Sequence, residues 1–156
     1  MIIIGYQGIG KSSLAGRRNE YIDLESSNFN NVYGEKTEGW HIPYCKVAED
    51  LSKQGYRVFV SCHREVQEYL LGSNVHILLC YPSIQLEEQW LDKLQRRYEQ
   101  DPSDKNLAAL ETAKKYYRQH IVALGNSSHK YKLVLKDINY TLDNEIDNIL
   151  YGTDSN

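Results

Sequence analysis

The residues of this chain whose types and spacing most clearly point to chemistry lie among its first dozen positions. The segment Gly5-Tyr6-Gln7-Gly8-Ile9-Gly10-Lys11-Ser12 fits the phosphate-binding pattern G-x-x-x-x-G-K-[ST]. Glycines allow a tight loop whose backbone N–H groups point at phosphate oxygens. Lys11 then reaches the β- and γ-phosphates, and the Ser12 hydroxyl ligates Mg²⁺. A glycine-rich turn that binds nothing is the alternative.

The surroundings of this loop match what phosphate binding requires. A β-branched run over residues 1–4 predicts a buried strand before the loop, and a brief helix is predicted from Lys11 onward. The positive end of that helix would add to the attraction for phosphate. We expect the phosphates of ATP or a similar nucleotide to contact Gly5, Gln7, Gly8, Ile9, Gly10, Lys11, Ser12 and Ser13.

Strands and helices alternate along the rest of the chain. The later predicted strands cover residues 21–25, 56–62, 75–81 and 131–135. The predicted helices cover residues 40–54, 64–71 and 141–150, with two long ones between the fourth and fifth strands. Because the central strands are continuous apolar runs, they predict a parallel sheet covered on both faces. We interpret residues 1–151 as one three-layer α/β domain and residues 152–156 as a flexible tail.

Apolar stripes at helical spacing predict the two long helices. Ser83 would cap the first helix, and residues 101–104 separate it from the second. The first stripe consists of Ile84, Leu91, Leu94 and Tyr98. The second consists of Leu107, Leu110, Ala113, Tyr117, Ile121 and Leu124.

Composition argues against several classes of function. The 156 residues are 41% hydrophobic and carry a net charge of −3, so the chain is globular and lacks the basic excess that a nucleic acid polymer requires. No apolar run has the length of a membrane span. The three cysteines have no metal-type spacing, and structural disulfides are not expected. We expect a cytoplasmic protein without membrane partners; a homodimer stays open.

On its phosphate-loop motif, the chain resembles the P-loop NTPase superfamily. Its length and single domain are similar to those of the nucleoside-monophosphate and small-molecule kinases, over about the whole chain. The resemblance implies ATP-dependent phosphoryl transfer with Mg²⁺, the strand order 2-3-1-4-5 and a lid that carries arginines. The later strands end at Ser61-Cys62 and Cys80-Tyr81 without the aspartate of motors and GTPases, which counts against those classes.

Asp23 and Glu25 stand at the carboxyl end of the second predicted strand. In a parallel sheet that end faces the ligand crevice, and alternation places both carboxylates on one side of the strand. The resemblance implies that Asp23 holds Mg²⁺ or orients the acceptor, and that Glu25 contacts the acceptor. Two solvated carboxylates at a strand end are the alternative.

Three further residues lie where such kinases bind their acceptor. Arg64 follows the third predicted strand, and the resemblance implies that its guanidinium grips an acceptor phosphate through bidentate bonds. The rings of Trp40 and Tyr44 would stack on a base. Because these two residues are four apart on one helix face, ordinary packing explains them at least as well.

Basic residues collect on the two long helices. Lys93, Arg96 and Arg97 are predicted to lie away from the first stripe, and Arg118 belongs to the second helix. The resemblance implies a lid over about residues 92–120, whose Arg96, Arg97 and Arg118 neutralise the transferred phosphoryl group. Two solvated helix faces are the alternative.

Taken together, these residues predict a kinase that transfers the ATP γ-phosphate to a nucleoside monophosphate. Lys11, Asp23, Arg64 and the lid arginines would be its catalytic residues. Two alternatives stay open. The acceptor is an alcohol of a small metabolite or nucleoside, with Asp23 or Glu25 as general base, or the chain is a nucleotide-binding regulatory module with little turnover.

Overall fold

A five-stranded parallel sheet forms the centre of the structure, a computed structural model that describes residues 1–152. Its strands are β1 (Ile2–Gly5), β2 (Tyr21–Asp23), β3 (Arg57–Ser61), β4 (Ile77–Pro82) and β5 (Lys132–Leu135). They lie in the order β2-β3-β1-β4-β5, and every pairing is parallel. The predicted α/β class and the order 2-3-1-4-5 are therefore confirmed.

The described residues form six α-helices, of which five lie between strands and the sixth follows β5. They are α1 (Lys11–Arg17), α2 (His41–Lys53), α3 (Arg64–Leu70), α4 (Glu87–Gln100), α5 (Asp104–Gly125) and α6 (Leu142–Tyr151). Among the described residues, no helix is both long and apolar enough to cross a membrane. Gly152 ends α6 with a φ of 60°, and residues 153–156 of the predicted tail lie outside the described residues.

The central strands bring the glycine-rich loop of residues 5–12, called the phosphate loop below after its predicted role, to the carboxyl edge of the sheet. Every residue of β1 and β4 is buried, as the continuous apolar runs predict. The parallel register sets Gly5 level with Ser61 of β3 and Cys80 of β4. The loop therefore starts at the carboxyl edge of the central strand, at the usual crevice of open α/β sheets.

The second strand is shorter than predicted. β2 ends at Asp23, and Leu24 N donates the last hydrogen bond to Phe59 O of β3 at 3.0 Å. Glu25 then caps the 3₁₀ turn Ser26–Phe29, within the segment predicted as a loop. Glu25 keeps an extended backbone, with φ −78° and ψ 120°. Its side chain therefore stays beside that of Asp23, with which it shares a hydrogen bond.

The predicted stripe of α4 is confirmed at Leu94, with Leu91 and Tyr98 partly buried against the core, but it is wrong at Ile84 and omits Trp90. Trp90 is fully buried and Leu94 is 1% exposed, whereas Ile84 is 37% exposed. The reason is that Ile84 belongs to a 3₁₀ turn before α4, so it does not share the helical phase of the residues after it. Lys93 and Arg97 follow Trp90 by three and seven positions and share its face. The prediction that they lie away from the packed side is wrong.

The connection between α4 and α5 is irregular, as predicted, but tightly bonded. The Ser103 hydroxyl caps α5 by accepting from Asn106 N at 3.1 Å. The buried Asn106 side chain donates to the Asp101 carbonyl at 2.9 Å. The apolar stripe predicted for α5 is confirmed by the burial of Leu110, Ala113, Tyr117, Ile121 and Leu124. The hairpin of α4 and α5 is thus packed along most of its length.

Two glycines give a matched test of how tightly the phosphate loop is covered. At Gly8, φ is +89° and a Cβ would lie 2.9 Å from Leu94 Cδ2. At Gly16, within α1, a Cβ would meet nothing within 4 Å. Gly16→Ala should raise the free energy of unfolding by about 0.5–1 kcal/mol through helix propensity. Gly8→Ala should lower it by at least about 1 kcal/mol through backbone strain and overpacking.

Urea denaturation of both variants measures these changes. Similar shifts in the two variants would contradict the close packing of the loop under α4.

Candidate functional site

The phosphate loop holds its lysine against its own backbone. Gly8 and Gly10 have φ values of 89° and 106°, which glycine adopts without strain. The chain thereby turns back so that Lys11 Nζ donates to the Gly5 carbonyl at 2.9 Å. Burial is the main cause that lowers the pKa of Lys11, while the nearby carboxylates of Asp23 and Glu25 raise it. A half-buried ammonium group of this kind is ready to accept an anionic ligand.

Two aromatic side chains anchor the loop from outside. Trp90 Nε1 of α4 donates to the Gln7 carbonyl at 3.0 Å. The Tyr140 hydroxyl, before α6, donates to the Ile9 carbonyl at 2.6 Å. The two rings are stacked, with centroids 6.0 Å apart. The loop is therefore positioned by α4 and by the segment after β5. The sequence analysis did not predict these two contacts. The four-residue spacing of Trp90 and Leu94 is the sequence feature that could have indicated the first of them.

Lys93 completes this aromatic pair. Its ammonium group donates to the Tyr140 hydroxyl at 2.8 Å and lies 4.3 Å from the centroid of the Trp90 ring. Burial, followed by the charge of Arg97, lowers the pKa of Lys93 to about 8. Lys93 is therefore a cation that α4 directs to the side of the loop, and Arg97 lies near enough for its charge to act on Lys93.

A cleft of about 260 Å³ opens next to the loop. Its lining residues come from the loop, α1, α4 and the segment before α6: Ile9, Gly10, Ser13, Leu14, Arg17, Lys93, Ile138, Tyr140, Thr141 and Leu142. Apolar, hydroxyl and cationic side chains are thus combined in a concave surface, as in small-molecule sites.

On the other side of Lys11, two carboxylates meet a third cation. Lys105 Nζ of α5 donates to both carboxylate oxygens of Glu25, at 2.7 and 2.8 Å. Burial raises the pKa of Asp23 to about 6, against the charge of Lys11. Burial also opposes ionisation of Glu25, but the hydrogen bonds from Lys105 hold the pKa of Glu25 below its usual value. Glu25 therefore loses its proton at a lower pH than Asp23 does.

The oxygen atoms near Lys11 are of the type that Mg²⁺ requires. Ser12 is exposed at the start of α1, and Asp23 ends β2. A hydroxyl and a carboxylate are hard oxygen ligands, which Mg²⁺ takes together with water and substrate phosphates. Ser12 and Asp23 thus fit the predicted metal site by their chemistry and by their places at one edge of the sheet.

The predicted lid arginines are not brought together. Arg97 is half-buried on the Trp90 face, whereas Arg96 is exposed. Arg118 Nε donates to Glu87 at 2.8 Å with its side chain 75% exposed. Lys105, which was not among the predicted residues, is the cation of α5 that reaches the carboxylates. No local signal marks it, because its partner Glu25 lies 80 positions away.

The predicted acceptor residues have different environments. Arg64 bonds Glu68 one turn along α3, and its side chain is 89% exposed. Tyr44 is completely buried, donates to Leu24 O at 2.7 Å and accepts from Ser61 N at 2.9 Å. Its ring offers no face to a base, so stacking by Tyr44 is wrong and the packing alternative describes it. Trp40 is 6% exposed and packs against Tyr44.

No family model and no curated protein matches the chain. Among solved structures, it is similar to the crystal structure of an uncharacterized protein from Eubacterium ventriosum, at 14% identity over 99% of this chain and 98% of that one. The TM-score is 0.47.

Burial of Lys93 should appear in the pH dependence of stability. Its pKa is about 8 in the folded protein instead of 10.5, so between these values the unfolded chain binds more protons than the folded one. The free energy of unfolding should therefore rise with pH across this window relative to Lys93→Met, by about 1–2 kcal/mol.

Denaturant titrations from pH 7 to 10.5 measure the difference between the two proteins. Lys114→Met, at an exposed position of α5, is the control and should give a curve parallel to the wild type. A constant or falling difference between wild type and Lys93→Met would contradict the prediction.

Proposed function

We propose that this protein is a P-loop kinase that transfers the γ-phosphate of ATP to a small acceptor. The observation that carries the proposal is the half-buried Lys11 in a glycine loop at the carboxyl edge of the central strand, with two carboxylates beside it. Phosphoryl transfer is catalysed mainly by positioning and by charge stabilisation, and this arrangement supplies both.

Each part of the crevice has a role in this proposal. Loop amides and Lys11 bind the β- and γ-phosphates, and the cleft lined by Lys93 and Tyr140 takes the nucleoside part of the donor. Ser12 and Asp23 would hold Mg²⁺, which supplies positive charge to the phosphates. Arg97 stabilises charge that develops on the transferred group, and the hairpin of α4 and α5 excludes water.

Two acceptor classes are supported by different features. A nucleoside monophosphate suits the cations that lie along the hairpin, Arg97 and Lys105 among them. Binding of its phosphate by Arg64, as the sequence predicts, requires that side chain to leave Glu68. An alcohol suits Asp23, because burial raises the pKa of this carboxyl to about 6 and makes it a stronger base than an ordinary aspartate. The nucleotide acceptor remains our first candidate, since it requires no base.

Lys11→Ala should abolish phosphoryl transfer and leave the protein folded. In this proposal Lys11 contacts phosphate, and the hydrogen bond that its side chain makes among the described residues is the one to Gly5 O. A coupled ADP-release assay over nucleoside monophosphates, deoxynucleoside monophosphates and small alcohols measures turnover, and circular dichroism checks the fold. Lys46→Ala, exposed on α2, is the control. Full turnover in a folded Lys11→Ala protein would contradict the kinase assignment.

Arg97→Ala and Arg96→Ala form a neighbouring pair on α4 that separates a phosphate contact from a solvated charge. Arg97 lies half-buried beside Lys93, and Arg96 is exposed. Arg97→Ala should lower kcat at least about tenfold, since a transition-state cation contributes several kcal/mol, about 2–4. Arg96→Ala should change kcat less than about twofold. Equal effects of the two substitutions in steady-state kinetics would contradict the role of Arg97.

A further inference from the structure

One ion pair joins the hairpin of α4 and α5 to the segment that follows β2. Lys105, in the first turn of α5, contacts both oxygens of Glu25 across 80 positions of sequence. Among the described residues, these are the hydrogen bonds and the ion pair that join the hairpin to the segment after β2. The Lys105 side chain is 61% exposed and that of Glu25 is 34% exposed, so solvent and solutes reach the pair.

The backbone holds Lys105 in this place. Ser103 caps the helix two positions before it, and Asn106 bonds Asp101 directly after it. A lysine anchored on both sides by capping bonds has a fixed Cα, and only its flexible side chain has to move between partners. Lys105 can therefore exchange Glu25 for a nearby anion without unfolding the turn.

The charge of Lys105 already acts on the phosphate loop. Lys105, Glu25 and Asp23 all lie close enough to Lys11 for their charges to act on it. Lys11 and Lys105 carry two positive charges, and the ionised carboxylates of Asp23 and Glu25 carry two negative ones, so the set is neutral. A polyphosphate that enters this set attracts both ammonium groups and repels both carboxylates, which favours transfer of Lys105 from Glu25 to phosphate.

We propose that Lys105 is a phosphate-binding residue. It pairs with Glu25 until a polyphosphate enters, and the polyphosphate then displaces Glu25 from it. This inference rests on the proposed function, since it concerns the same phosphate site. It assigns to Lys105 the phosphate contact from α5 that the sequence assigned to Arg118. It also makes Glu25 a competitor of phosphate rather than a ligand of the acceptor.

Binding of inorganic tripolyphosphate, measured by calorimetry with and without Mg²⁺, tests the proposal without turnover. Lys105→Ala should weaken binding about tenfold, because it removes a charge-assisted contact. Glu25→Gln should strengthen binding about two- to fivefold, the range of a half-exposed ion pair. Lys114→Ala, exposed on the same helix, should leave binding unchanged. Lys105→Met removes the charge but keeps an unbranched side chain of similar length, in case Lys105→Ala perturbs the turn.

The double variant decides between a specific exchange and a general charge effect. If Glu25 acts by holding Lys105, the gain from Glu25→Gln should vanish in the Lys105→Ala background. A gain that persists there, or wild-type binding in both Lys105 variants, would overturn the inference alone, provided that Lys11→Ala still loses tripolyphosphate. Absence of tripolyphosphate binding by the wild type would overturn the proposed function and the inference together.

Discussion

An ammonium group half-buried at the carboxyl edge of a parallel sheet must be balanced by oxygen atoms, and Lys11 is such a group. The Gly5 carbonyl accepts its hydrogen bond, and the carboxylates of Asp23 and Glu25 offset the cost of its burial. Lys105 then neutralises Glu25. The glycine loop, the end of β2 and the first turn of α5 are therefore linked through one charge, and any anion bound at Lys11 acts on all three.

Contacts with the same loop also determine which part of the hairpin of α4 and α5 is fixed in the core. Leu94 and Trp90 both pack closely over Gly8. A Cβ atom at Gly8 would lie 2.9 Å from Leu94 Cδ2 and 3.1 Å from Trp90 Nε1. Because Trp90 also donates to Gln7 O, the inner part of the hairpin belongs to the core and to the wall of the site. The outer part of the hairpin, near Lys105, contacts the segment after β2 through a solvent-accessible ion pair with Glu25. A lid motion that involves the whole predicted segment would break the core, whereas a change of partner at Lys105 would not.

Particular elements show why the fold was predictable and the site only in part. The stretch before Gly5 and the loop itself are local patterns in which neighbouring residues carry the information, and their strand, turn and helix were predicted closely. The predicted α4 stripe was wrong at Ile84, because this residue belongs to a 3₁₀ turn and does not share the helical phase of the later members. Tyr44 was ambiguous by sequence because a ring four positions from Trp40 suits both stacking and packing. Its buried hydroxyl, bonded to Leu24 just after β2 and to Ser61 of β3, is explained by packing.

The sequence by itself determined the phosphate loop, the α/β alternation and the parallel sheet, because backbone conformation and burial period are encoded over a few consecutive residues. The tertiary structure alone decided which cations face the loop. Lys93 depends on Tyr140, which lies 47 positions away, and Lys105 depends on Glu25. A charged side chain has the same local pattern whether it meets solvent or a partner, so only the packing of distant segments distinguishes Lys93 and Lys105 from the exposed Arg96 and Lys114.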